Sequence, residues 1–110
     1  MSIRLMSLVF EYDMPNLPID EESTVPDSTA KFVLLALADH ASDDGEGAYP
    51  SITRLCKKTS MSRGTVCNAI KALRFHKYIL YEGESKVHTN NYTILVDRLV
   101  QPLDSPKSSH

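Results

Sequence analysis

The chain lacks most of what chemistry on small molecules requires. It has no glycine-rich phosphate loop, no nucleophile patterned with a base and no paired carboxylates on one helical face, so no catalytic residues are expected. Only two cysteines occur in 110 residues, Cys56 and Cys67, on different expected helices. That excludes a disulfide framework, and without closer ligand pairs it argues against zinc. The histidines (His40, His76, His88 and His110) are scattered, so neither a metal nor any other cofactor is expected. The longest apolar stretch, Phe32 to Ala38, falls far short of the ~20 residues of a membrane span. Met1 to Phe10 has no small-residue cleavage site, which argues against a signal peptide and for a cytoplasmic protein with reduced thiols.

One further absence is local. From Ser51 to Lys77 there is no Asp or Glu, but there are seven basic residues: Arg54, Lys57, Lys58, Arg63, Lys71, Arg74 and Lys77. The remaining five of the twelve bases face all fourteen acids, so the segment carries +7 and the rest of the chain −9. Such a division inside a protein of net charge −2 is the footprint of a surface that meets a polyanion.

The pattern of elements supports the same partner. Residues 1–25 read as an N-terminal extension. Within it Ser2 to Phe10 suit a short strand or helical turn burying Ile3, Leu5, Val9 and Phe10, and Met14 to Asp27, with three prolines, suit a loop. A helix is expected from Ser28 to Ala41 with Asp27 as N-cap, since Ala30, Val33, Leu34, Leu37, Ala38 and Ala41 form one stripe. Ser42 to Gly47 has acids but not the alternation of a calcium loop, and reads as a solvated turn. A second helix, Ile52 to Thr59, opens on Ser51, turns at Ser60-Met61, and is followed by a third from Arg63 to about His76, capped by Ser62. The period then becomes two. Ile79 to Glu82 and Asn91 to Val96 read as strands joined by a polar loop, the second burying Tyr92, Ile94 and Val96. The expected architecture is mainly α with a β-hairpin wing, a winged helix-turn-helix over residues 26–97, followed by a flexible tail at 98–110.

The run from Ser62 to Leu73 resembles the recognition-helix pattern of winged helix-turn-helix proteins. Phe32 to His40, Asp43-Asp44-Gly45, Ala48-Tyr49-Pro50-Ser51, and Met6 with Val9-Phe10-Glu11 widen the match. Together they resemble the domain at the N-terminus of many phage and plasmid replication proteins, also found in small phage-related regulators. The resemblance implies binding of double-stranded DNA, with the third helix in the major groove. Initiators of that kind carry a second region where this sequence has a short tail, so a regulator or accessory factor is expected rather than a complete initiator. Three positions depart from the pattern: Cys67 replaces a frequent DNA-contacting arginine, Ser60 the usual turn glycine and Lys77 the usual glycine after the helix. A non-glycine residue forced to positive φ at either of the last two sites costs of the order of 1 kcal/mol.

The candidate DNA-binding residues follow from chemistry. Asn68 can donate to and accept from an adenine edge; Arg63 and Lys71 can reach guanine acceptors or phosphates; Thr65 can meet a phosphate or a thymine methyl. Gly64 leaves room for close approach. Ser51 and Ser62 are caps first and phosphate ligands second. Thr53 lies on the outward side of the second helix. Arg54, Lys57, Lys58 and Arg74 supply attraction independent of sequence, and Lys86 and His88 lie in the wing loop, opposed by Glu82 and Glu84. Homodimerisation has two candidate surfaces, the N-terminal segment and Phe75. The competing reading is a protein-interaction module on a winged-helix fold, for example a phage protein binding a host factor or a replication protein.

Overall fold

The computed structural model describes residues 2–84 and 89–100. Its first element is a helix, α1 (Ile3–Glu11), started by Ser2. The Ser2 hydroxyl accepts from the Leu5 N–H at 3.0 Å and donates to Asp43 Oδ1 at 2.6 Å, so the cap also fastens the helix to a distant turn. Leu5 and Val9, four apart, are fully buried. Ile3 and Phe10, expected in the core, are 73% and 59% exposed. They sit seven apart on the opposite side, where a helix with one buried stripe leaves them in solvent.

The segment expected as a loop contains a hairpin of β1 (Leu17–Pro18) and β2 (Thr24–Val25), antiparallel with Leu17 opposite Val25. The Asp20 carboxylate closes its tip by accepting from the Glu22 and Ser23 N–H groups at 2.8 Å each. Leu17 and Val25 enter the same core as Leu5 and Val9. Residues 3–25 are therefore packed into the domain they were expected to extend.

Helix α2 (Asp27–Ala38) is central and packs against α1, α3 (Ile52–Thr59) and α4 (Arg63–Phe75). Asp27 is its first helical residue and Pro26 its cap, contrary to the expected Asp27 cap. Asn16 takes over the capping role, its Oδ1 accepting from the Asp27 N–H at 2.9 Å. The helix stops three residues before the expected Ala41. The N–H groups of His40 and Ala41 bond the carbonyls of Leu37 and Ala38, tightening the last turn.

Both α3 and α4 begin at the expected residues. Ser60, which closes α3, has φ +59°, and Lys77, after α4, has φ +66°. Each left-handed, non-glycine residue stores roughly 1–2 kcal/mol, and each sits where the resemblance expects glycine. At the second site the Lys77 and Tyr78 N–H groups bond the carbonyls of Arg74 and Leu73, which ends the helix sharply.

Strands β3 (Ile79–Glu84) and β4 (Asn90–Ile94) form the wing, with Ile79 opposite Ile94 and Tyr81 opposite Tyr92. The register shifts between Tyr81 and Glu84, where Gly83 has φ +95°. Val96, expected in the strand, is instead in a 3-10 turn, Val96–Arg98, and only half-buried. The 42–47 turn is not simply solvated. Gly45, φ +90°, accepts through its carbonyl from the Ile94 N–H at 2.8 Å, and a Cβ there would lie 2.1 Å from the Ile94 oxygen. Ala48 and Tyr92 exchange two backbone hydrogen bonds, so the start of the α3 segment acts as a third, one-residue strand. At the root of the wing, the Tyr12 and Tyr78 hydroxyls meet at 2.8 Å under the Arg98 guanidinium, and burial pushes the Tyr78 phenol up to about 12. Helices with one paired hairpin after α4 give the winged helix-turn-helix class expected from sequence.

Candidate nucleic-acid interface

The helix pair starts from two serines used alike. Ser51 Oγ accepts from the Arg54 N–H at 3.0 Å, and Ser62 Oγ accepts from the Thr65 N–H at 3.2 Å while donating to Thr65 Oγ1 at 2.9 Å. Both side chains are engaged as caps, which fixes where each helix begins and therefore which residues face out. On α4 the buried side is Val66, Ala69, Ile70, Ala72 and Leu73. Arg63, Gly64, Thr65, Cys67, Asn68, Lys71 and Arg74 are exposed on the remainder.

Gly64 has an ordinary helical backbone, and a Cβ on it would meet nothing within 4 Å. The protein's own packing does not call for glycine there, and glycine in a helix costs up to ~1 kcal/mol relative to alanine. The gap is useful only to something arriving from outside.

The flanks of α4 differ. On one side Arg63 shares a cleft of about 210 Å3 with Ser51, Thr53, Thr89, Asn90 and Tyr92, so both helix starts and the loop end of β4 converge. Thr89 Oγ1 donates to the Tyr49 carbonyl at 2.6 Å, tying that end to the segment before α3. On the other side Asn68 and Thr65 border Thr24, Val25, Pro26 and Thr29 in a cleft of about 280 Å3, with no lysine or arginine among the described residues that line it.

 

The cations divide in the same way. Lys58 Nζ is paired with Asp39 Oδ2, and this is the only ion pair among the described residues. The hydrogen bond from Lys58 holds the Asp39 carboxyl below its ordinary value of 3.8. Lys58, expected to attract phosphate, therefore serves first to fasten α3 to the end of α2. The other six cations of the acid-free segment, Arg54, Lys57, Arg63, Lys71, Arg74 and Lys77, are exposed. Arg74 lies over the Tyr81 ring at 4.9 Å, which steadies it against the wing. Arg54 borders a cleft with His40, Tyr49 and Ser51; burial lowers the His40 imidazole below 6.5, and its Nε2 has no hydrogen-bond partner among the described residues.

Lys86 and His88 lie outside the described residues. Sequence reasoning missed Tyr49, Thr89 and Asn90 by the loop end of the wing, and Thr24 and Thr29 beside Asn68. The first group was signalled only by the Ala48 to Ser51 block; the second depends on a hairpin with no sequence signature. Among the described residues no three metal-ligating side chains gather, and no helix is long and apolar enough to cross a membrane.

Residues 28–79 match the model of a family described as a helix-turn-helix domain. The match runs from α2 through α4 to the first residue of β3, leaving α1, the N-terminal hairpin and β4 outside it. No curated protein and no solved structure matches the chain.

Proposed function

We propose that this helix-turn-helix protein binds double-stranded DNA, laying the first half of α4 in the major groove and the β3–β4 wing along the neighbouring backbone. The observation that carries the reading is the acid-free segment that forms α3 and α4, with six exposed cations. Arg63, at the first helical position, meets the backbone or a guanine beside the loop end of the wing. Asn68 reads a base from the opposite flank, with Thr65 next to it. Arg54, Lys57, Lys71 and Arg74 add attraction to phosphates whatever the sequence.

The biological setting we propose is that of a phage or other mobile element, where the protein acts in the cytoplasm as a small transcriptional regulator or replication accessory factor. Support for that setting is the resemblance of the blocks from Met6 to Leu73. Fluorescence anisotropy on a labelled duplex, titrated with salt, tests the DNA reading. About five phosphate contacts give a log–log slope near −4 to −5. An affinity that stays flat across salt overturns it.

A further inference from the structure

The end of α4 carries an apolar surface that the DNA reading does not call on. A phenylalanine is among the side chains most often buried. Phe75 is nevertheless 67% exposed, and beside it Leu80 and Tyr81 are 42% and 43% exposed. These three share a groove of about 440 Å3 with Lys71, Arg74 and Lys77, and no acid lines it.

The complementary surface is on the same molecule. Asp20, Glu21 and Glu22 form the exposed tip of the β1–β2 hairpin, with no base among them. The Asp20 carboxylate is used to close the turn, while Glu21 and Glu22 form no ion pair among the described residues. The two surfaces are neighbours, because His76 Nε2 meets the Pro18 carbonyl at 2.8 Å, joining the end of α4 to the hairpin stem.

We propose that the groove receives the acidic hairpin tip of a second copy of this chain. Since donor and acceptor lie side by side, two copies related by a two-fold axis exchange tips, each covering the other's Phe75, and the contact closes at two. Glu21 and Glu22 meet the other copy's groove at Lys77, and the apolar side of the groove leaves water. A chain that pairs this way presents two α4 helices to one duplex, as two half-sites require.

Sedimentation of the full chain without DNA tests this separately from the DNA reading, which can fail or stand on its own. The wild type is expected to dimerise at about 100 µM and to weaken as salt rises. Lys77→Glu, and separately the double change Glu21→Lys with Glu22→Lys, should each weaken pairing about tenfold or more. Combining all three should recover part of the loss that the double change causes, and unchanged melting temperatures show that the fold is intact. A monomeric wild type overturns the proposal, as does a dimer indifferent to either charge reversal or a combination that fails to rescue.

Discussion

The two hairpins that flank α4 are attached by different means. The wing is held along β4, by backbone bonds from Gly45 to Ile94 and from Ala48 to Tyr92 in both directions, and by the Thr89 hydroxyl to Tyr49 at the loop end. The N-terminal hairpin has only two residues in each strand and is held by buried Leu17 and Val25, by Asn16 at the start of α2, and by His76. The wing side gathers Arg63 and Arg74, whereas the other flank is hydroxyl-rich and ends in an acidic tip. On the proposed reading, that asymmetry sets which way the helix lies in a groove.

The strongest test of this contrast is at the wing root. Gly45→Ala forces a side chain into the Ile94 carbonyl at a positive φ, and is expected to cost about 3 kcal/mol or more. In thermal melts that is a fall of more than ~10 °C for a domain of this size; a change within experimental scatter would mean that the wing is anchored elsewhere. A smaller effect separates the flanks by function. Asn68→Ala is expected to cost ~1–3 kcal/mol at a selected site and little on random duplex. Arg63→Ala should weaken every duplex by roughly 1 kcal/mol and make the salt slope shallower by about 1. Equal responses from the two variants, measured by anisotropy on both duplexes, would erase the distinction. The smallest change is a gain. Ser60→Gly removes left-handed strain from the turn between α3 and α4 and should add about 0.5–1 kcal/mol in urea unfolding, without altering the flanks.

The helix pair was legible because two serines, a 3.6-residue period and the absence of acids all agree locally. The positive φ at Ser60 and Lys77 was legible for a similar reason, since the resemblance places glycine at both. What sequence hid depends on partners far along the chain. The Lys58–Asp39 pair spans nineteen residues, and the Asn16 cap displaced the more obvious Asp27. In α1 the apolar residues Ile3 and Phe10 blurred the stripe made by Leu5 and Val9, so strand and helix remained equal expectations. The β1–β2 strands are too short for any period to register; their existence follows from Leu17 and Val25 finding the core.

Of the two thiols, Cys56 is half-buried and Cys67 exposed, one turn from Gly64 and one from Lys71 on the outward side of α4. The protein thus carries a native attachment point in the middle of its working helix. A fluorophore or a bulky alkylating group placed on Cys67 can watch that helix, or jam it, without any engineered residue.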